Sequence, residues 1–281
     1  MFKVLSHLPI SLGDYLYHSL QGIISKRDMG FKLNSGRNTY AELSELLNKV
    51  QVSLKGKRVI EIGSGWLPIL PYLLIFEGQV DKVFTYDLQE HFKEGKIKVL
   101  NKFLRQEYKY DLLPSEKSEY ALPQELDYYP RTNINDIRLP EVQLIFSRFV
   151  LEHVSPADLK RMHCKFKAEF PAGTHIIHFI SPSDHRAYDD SSLSLQDFLK
   201  FSESEWEKNY TRFDYHNRLR LPQYLEIFEN AGLEVVHLDF YVPNADSDAY
   251  KKFKKINIHP DFQVFSEEEL LAGAINIILK T

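Results

Sequence analysis

Apolar residues recur along this chain with two spacings, one typical of buried strands and the other typical of amphipathic helices. Strand-like segments lie at 58–62, 82–88, 126–130, 142–154, 173–182, 233–243 and 272–281. Helical spacing occupies 40–50, 67–76, 91–108, 156–170 and 221–231. Because strands and helices alternate over most of the chain, the pattern predicts an α/β fold with a mainly parallel sheet and helices on both faces.

Local signals mark where some of these helices begin. Asn38 or Thr39 is expected to cap the helix over 40–50, and Ser155 is expected to cap the helix over 156–170. Residues 3–25 have mixed helical spacing, which predicts one or two further amphipathic helices.

Composition narrows the class of protein. The chain has 281 residues, 43% of them hydrophobic and 26% charged, which is ordinary for a globular protein. Its net charge of -4 does not favour a nucleic-acid partner. No apolar run is long enough to span a membrane, and residues 1–26 lack the features of a signal peptide. The single cysteine, Cys164, is expected to be a packed helical residue in a cytoplasmic protein.

The most informative stretch is "VIEIGSGWLP", in which a strand meets a Gly-x-Gly turn at Gly63 and Gly65. A phosphate loop would continue with Gly-Lys-Ser/Thr, but Trp66 and Leu67 stand there. A dinucleotide fingerprint would place a third glycine where this chain has Pro68. The turn therefore favours a nucleoside without a phosphate, and the dinucleotide remains the alternative.

Two acids near this turn support a positively charged nucleoside. Glu61 lies two residues before Gly63, where a carboxylate would repel a pyrophosphate but attract a cation. Asp87 ends the next strand, 22 residues after Gly65, and an acid at that place can accept hydrogen bonds from both ribose hydroxyls. The combination fits S-adenosylmethionine, whose sulfonium and amino groups are positive.

With these residues the chain resembles the class I S-adenosylmethionine-dependent methyltransferases. "VIEIGSGWLP" is similar to their E-x-G-x-G motif, "VFTYDL" to their acidic second strand, and "TNINDIRLP", "LIFSRFVLEHVSP", "AGLEVV" and "GAINIILK" to later motifs. The resemblance implies a Rossmann-like sheet of seven strands with an antiparallel last strand, and methyl transfer as the activity. It assigns cofactor binding to Glu61, Gly63, Gly65, Trp66, Asp87, Leu88, Asp136 and Ser147.

The resemblance also divides the chain. Residues 1–54 are expected to form a helical extension, which either covers the site or makes a homodimer. Residues 55–281 are expected to form the methyltransferase domain. Within it, the long polar and aromatic segment 183–221 is expected to be a lid over the methyl acceptor.

The acceptor is expected near the end of the fifth strand, in "SPSDHRAYDD". His185 is the candidate base, and Asp184 is expected to orient it or to accept the proton. His153, Tyr188 and Arg218 are candidates for substrate binding. No metal ligands are assigned, although a divalent ion held by Asp184, His185 and another acid is an alternative.

The sequence thus predicts a cytoplasmic biosynthetic methyltransferase that modifies an oxygen of a polar small molecule or glycan. Two alternatives remain open. One is a nicotinamide-dinucleotide oxidoreductase on the same sheet, and the other is a non-catalytic protein that binds the nucleoside.

Overall fold

The strands assemble into one seven-stranded sheet in a computed structural model that describes residues 29–211 and 214–281. They are β1 (Arg58–Ile62), β2 (Lys82–Tyr86), β3 (Leu126–Tyr129), β4 (Leu144–Arg148), β5 (His175–Ile180), β6 (Glu234–Tyr241) and β7 (Gly273–Lys280). Their order is β3-β2-β1-β4-β5-β7-β6. Strands β1 to β5 are parallel, and β7 is antiparallel to both of its neighbours. The predicted fold class is confirmed, including the antiparallel last strand.

Helices cover both faces of this sheet. They are α1 (Met29–Lys49), α2 (Ile69–Phe76), α3 (Glu94–Tyr108), α4 (Pro156–Glu169), α5 (Arg186–Asp189), α6 (Glu203–Trp206), α7 (Leu221–Asn230), α8 (Asp248–Phe253) and α9 (Glu267–Leu271). Short 3₁₀ helices occupy Leu151–His153, Asp197–Lys200 and Pro260–Phe262. Among the described residues, no helix combines the length and apolarity needed to cross a bilayer.

The alternation of side chains along the strands builds two cores. Val59 joins a cluster with α1, α2 and α3 on one face, whereas Ile60 joins a cluster with α4 and α7 on the other. A third apolar cluster joins residues 198–206 to α8 and α9. Part of the long segment after β5 therefore has a small core of its own.

The helix predicted over 40–50 is longer than expected, and the predicted cap is wrong. α1 runs without a break from Met29 to Lys49, and the Thr39 hydroxyl donates to the Ser35 carbonyl one turn earlier, 3.0 Å away. Gly36 lies where α1 meets α2, and a Cβ there would stand 2.3 Å from Cγ2 of Ile69. The glycine is thus a point of close helix contact rather than a break. The helices predicted over 3–25 lie outside the described residues.

α4 agrees with the sequence at its start but not at Cys164. The Ser155 hydroxyl accepts the Asp158 N–H at 3.1 Å, so the predicted cap is confirmed. Cys164 is exposed, because the buried face of α4 consists of Leu159, Met162, His163 and Phe166. The expectation of a packed cysteine is wrong.

Candidate active site

The Gly-x-Gly turn lies where the strand order reverses, between β1 and β4. In open α/β sheets this is the point at which ligands bind. Gly63 has φ +83°, and a Cβ on it would lie 2.4 Å from Cγ2 of Val150, which follows β4. Both its backbone conformation and its contact therefore require glycine.

Gly65 has a different environment. Its φ is +58°, but an added Cβ would meet nothing within 4 Å. Its neighbour Gly63 is held in place, since its N–H donates to the Tyr86 carbonyl at 2.8 Å. The turn is thus fixed at Gly63 and has bare, open backbone at Gly65, where a ligand can approach closely.

Asp87 lies beside this turn and supports it. Its Oδ2 accepts the N–H of Ser64 at 3.0 Å and the Ser64 hydroxyl at 3.1 Å, and its Oδ1 accepts the N–H of Gln89 at 2.8 Å. A carboxylate offers about four lone-pair positions, so one position stays available for a hydroxyl donor. Asp87 can therefore accept a ribose hydroxyl while it holds the turn.

Glu61 is buried behind the turn. It is 5% exposed, and its Oε2 accepts the Thr85 hydroxyl at 2.5 Å from the neighbouring strand. Burial, together with repulsion from Asp87, raises the pKa of Glu61 to about 8. Two carboxyl groups that repel each other at this edge of the sheet favour a positively charged ligand.

Trp66 forms a wall next to the glycines. Its ring lies 4.7 Å from the ring of His91, and the Lys96 ammonium is 5.7 Å from the indole. His91 Nε2 in turn lies 3.6 Å from Oδ1 of Asp87. The turn, the two acids and this aromatic wall fit a cationic nucleoside.

Three other predicted cofactor residues lie in different surroundings. Leu88 is 64% exposed immediately after Asp87. Asp136 lies in a turn, with its carboxylate 3.6 Å from the Arg161 guanidinium. Ser147 is fully buried, and its hydroxyl points into the protein. A role for these three residues stays a prediction, and Ser147 exposes neither its side chain nor its backbone.

The Ser147 hydroxyl begins a buried chain of hydrogen bonds that sequence reasoning missed. Ser147 Oγ lies 2.7 Å from His178 Nδ1, His178 Nε2 lies 3.0 Å from His163 Nε2, and His163 Nδ1 lies 2.7 Å from the Leu159 carbonyl. Burial lowers the pKa of His163 to about 4 and that of His178 well below its usual value, so both rings are neutral.

These contacts determine which atom carries each proton in this series of hydrogen bonds. The Leu159 carbonyl can only accept, so His163 carries its proton on Nδ1 and accepts at Nε2. His178 must then donate from Nε2, and it accepts the Ser147 hydroxyl at Nδ1. The chain links α4, β5 and β4 beneath the candidate site.

Replacing His163 with alanine is expected to lower the free energy of unfolding by about 3–5 kcal/mol, because it leaves the His178 N–H unpaired and opens a cavity. Urea denaturation measures this loss. The adjacent Cys164→Ala variant is the control, and as an exposed change on the same helix it should cost less than about 0.5 kcal/mol. Equal losses in the two variants would contradict the hydrogen-bond chain.

Three histidines meet on the other side of the site, at the carboxyl ends of β4 and β5. They are His153, His185 and His216, and their candidate ligand atoms all lie within 4.8 Å of one another. Burial, with help from neighbouring histidines, lowers the pKa of His185 to about 4 and that of His216 to about 3. The sequence indicated His153 and His185 separately, but it did not predict that they meet His216.

Asp184 is not the partner of His185. It is 1% exposed, and its carboxylate accepts three hydrogen bonds from the Arg186 guanidinium, at 2.6, 3.0 and 3.2 Å. The predicted role in orienting His185 is therefore wrong, and so is the alternative metal site that included Asp184. The sequence could have indicated this ion pair, since Arg186 lies only two residues after Asp184.

Arg218 also has a structural role instead of the predicted role in substrate binding. It is 6% exposed, donates to the Phe198 and Phe201 carbonyls, and pairs with Glu203 at 2.6 Å. These contacts tie α6 to the following segment. Tyr188 is exposed, with its ring 4.9 Å from that of His185, and its role in substrate binding stays a prediction.

Phe149 is a further residue of the site that the sequence did not indicate. It follows β4 directly, is 44% exposed and has φ +57°. A left-handed conformation costs a non-glycine residue about 1–2 kcal/mol. Its neighbour Val150 packs on Gly63, so the strained residue lies next to the Gly-x-Gly turn. Strain of this kind is concentrated at functional sites.

A wide depression of about 1040 Å³ lies elsewhere, at the edge strand β3, and is lined mainly by residues 113–129. None of the predicted site residues lines it. Lys82 on its border is already paired with Asp127 at 2.7 Å. Its position away from the switch point makes it a surface feature rather than the ligand site.

Comparison with known proteins supports this reading of the fold. No protein-family model and no curated protein matches the sequence. The structure is similar to that of a magnesium protoporphyrin IX methyltransferase from Synechocystis PCC 6803 with bound S-adenosylhomocysteine. The TM-score is 0.51 at 8% identity, over 91% of this chain and 88% of that one. The fold is that of the class I methyltransferases.

A second similarity is weaker. It is to a SAM-dependent methyltransferase from Methanosarcina mazei, with a TM-score of 0.45 at 12% identity, over 81% of this chain and 93% of that one. This score is too low to support an argument by itself. Structural similarity at such low sequence identity shows the fold alone. The activity has to be argued from the residues of the site.

Proposed function

We propose that the protein is an S-adenosylmethionine-dependent methyltransferase that acts on a hydroxyl group of a polar small molecule or saccharide. The observation that carries the proposal is the grouping of Gly65, Asp87 and Glu61 at the switch point of a methyltransferase fold. Gly65 has bare backbone with open space beside it, Asp87 keeps an acceptor position, and Glu61 is buried next to that carboxylate.

Each of these residues has a defined task in the proposal. S-adenosylmethionine, when bound, supplies a methyl group on a positively charged sulfur. The backbone at Gly65 lets the nucleoside approach, and Asp87 accepts a hydrogen bond from the ribose. Glu61, mostly protonated at pH 7 in the free protein, can ionise behind the turn when the cation binds. Trp66 shields one side from water.

The acceptor belongs on the side of the three histidines. Their nitrogen atoms can contact its hydroxyl group, and the exposed rings of Phe149 and Tyr188 offer flat apolar surfaces to a sugar or another ring. Methyl transfer needs the acceptor atom to be held close to the methyl group, and the segments after β4 and β5 supply the residues for that positioning.

The oxidoreductase alternative is less well supported. Pro68 is the residue that precedes α2, at the place where a dinucleotide site needs a glycine, and Glu61 would repel a pyrophosphate when it is ionised. A cytoplasmic location, a role in biosynthesis and a lid formed by 183–221 belong to the methyltransferase proposal, as does an extension over 1–54 that covers the site or makes a homodimer.

Calorimetric titration tests the cofactor. S-adenosylmethionine is expected to bind with a dissociation constant in the micromolar range, and NADH is expected to give no heat. Asp87→Ala should weaken binding at least about tenfold, since a hydrogen bond to a charged group is worth about 1.5–3 kcal/mol. The control is Asp81→Ala, an exposed acid at the opposite end of the same strand, which should bind like the wild type. Absence of binding by the wild-type protein would remove the proposal.

A further inference from the structure

The three histidines lie on three separate segments of the chain, which bring their side chains together. His153 lies in the 3₁₀ helix after β4, His185 directly precedes α5 after β5, and His216 lies in the segment before α7. The ring centroids are 4.7 Å apart for His153 and His216, 3.9 Å for His185 and His216, and 5.1 Å for His153 and His185. Three imidazoles that meet without an intervening acid need an explanation.

The hydrogen bonds of His153 leave one ring nitrogen for a ligand. His153 Nδ1 lies 3.0 Å from the Tyr215 carbonyl, which can only accept, so the proton is on Nδ1 and Nε2 has a free lone pair. Histidines that bind metals almost always donate their other N–H to a carbonyl or carboxylate, which fixes the orientation of the ring.

His216 shows the same arrangement more strongly. The residue is 6% exposed and has a hydrogen bond with the backbone of Asp214, while its Nε2 is buried and has no hydrogen-bond partner. A buried polar atom without a partner costs about 1–3 kcal/mol. A bound cation would remove this cost and would also satisfy the Nε2 lone pair of His153.

We propose that His153, His185 and His216 bind one divalent transition-metal ion, and zinc is the first candidate because imidazole ligands suit it. Catalytic zinc sites have three protein ligands and keep a fourth position open. A tetrahedral ion with bonds of about 2.1 Å places its ligand atoms about 3.4 Å apart. The ligand atoms, which lie within 4.8 Å of one another, would have to move closer by up to about 1.4 Å to bind such an ion.

A fourth position left open on such an ion would be available to the acceptor, which the proposed function places beside the same three histidines. A hydroxyl group bound there would lose its proton more readily, because a metal ion stabilises the anion. This second part rests on the proposed methyltransferase function, whereas the metal site itself does not. The acceptor class that follows is an alcohol, a phenol or a sugar hydroxyl.

The test is metal binding by the full-length protein without cofactor. After treatment with a chelator, the wild-type protein is expected to take up one Zn²⁺ per chain by equilibrium dialysis and elemental analysis. Co²⁺ in its place should give the visible absorption of a four-coordinate ion. His153→Ala and His216→Ala should each lower the affinity at least about a hundredfold, since each removes a ligand.

His175→Ala is the matched control, because His175 lies at the opposite end of β5. It should bind zinc like the wild type. Thermal unfolding and S-adenosylmethionine titration of each variant show whether it folds and whether the cofactor half is intact. If the wild-type protein binds the cofactor normally but does not bind zinc, the metal site alone is overturned. The same holds if His175→Ala lowers the zinc affinity as much as His153→Ala and His216→Ala do. Zinc uptake without cofactor binding would leave the metal site and remove the methyltransferase.

Discussion

Gly63→Ala is expected to destabilise the protein by about 3 kcal/mol and to abolish cofactor binding, whereas Gly65→Ala should cost only about 1 kcal/mol of stability. Both glycines have positive φ, so both variants have the strain of a left-handed alanine. Only at Gly63 does the new Cβ also strike a neighbour, Cγ2 of Val150 at 2.4 Å, which adds an overpacking cost of about 1–3 kcal/mol.

The two glycine variants also distinguish an effect on folding from an effect on cofactor binding. Gly65→Ala puts a methyl group into the open space where the nucleoside is proposed to approach, so its affinity for S-adenosylmethionine should fall at least about tenfold despite a nearly normal fold. Gly56→Ala is the control. That glycine has φ +73° and nothing within 4 Å, but it lies in the turn before β1, far from the site.

A double variant tests the contact itself. Val150→Ala in the Gly63→Ala background removes the struck methyl group and should restore part of the lost stability. Urea denaturation measures all these variants, and calorimetry measures their cofactor binding. Equal stability losses in Gly63→Ala and Gly65→Ala would contradict the close contact between Gly63 and Val150. Unchanged cofactor binding by Gly65→Ala would contradict the nucleoside site.

Glu61→Gln is expected to stabilise the protein above pH 5 while it weakens cofactor binding. The pKa of Glu61 is raised to about 8 in the folded protein, from an ordinary value of 4.5. Below pH 4.5 the carboxyl is neutral in both states and stability is unaffected. As pH rises from 4.5 to 8 the unfolded chain ionises first, so the wild type loses stability, on the order of 5 kcal/mol in total.

Glutamine imitates the neutral acid and can still accept the Thr85 hydroxyl, so the variant lacks this loss. The difference in unfolding free energy between the two proteins should therefore grow with pH and level off above 8. Urea denaturation at several pH values measures it, and all other titrating groups cancel in the difference. A constant difference between pH 5 and 8 would show that Glu61 is already ionised in the folded protein.

Cofactor binding by the same variant should be at least about tenfold weaker, since the negative charge is lost. In the wild type, a cationic ligand favours the ionised carboxylate, so binding near pH 7 should release a proton. Calorimetry in buffers with different heats of ionisation detects that release. Glu61→Gln should abolish it.

The sequence predicted the sheet and the turn well because both depend on short-range patterns. Most of the parallel strands are short runs of buried, largely apolar residues, and Gly63, Gly65 and Asp87 lie close to strand ends whose positions follow from those runs. The cap at Thr39 was wrong because capping needs non-helical backbone, and nothing in the preceding residues breaks the helix. The predicted burial of Cys164 was wrong because a shift of one position along a helix is enough to turn a side chain from the buried face to the exposed face.

The acceptor side could not be predicted in the same way. His153, His185 and His216 lie on three segments, and their meeting depends on how β4, β5 and α7 pack rather than on any spacing in the chain. The role given to Asp184 failed for a local reason, because the nearby Arg186 guanidinium binds the same carboxylate through three hydrogen bonds, which an imidazole cannot match.

The chain from Ser147 through His178 to His163 has a consequence for spectroscopy. Its ring protons are enclosed by protein, since both histidines are 0% exposed and Phe228 of α7 packs on both rings, so water can reach them only when the packing of α4 and α7 on the sheet opens. In nuclear magnetic resonance spectra they should appear as two slowly exchanging imidazole signals. Their exchange rate would report directly on how often the floor of the site opens.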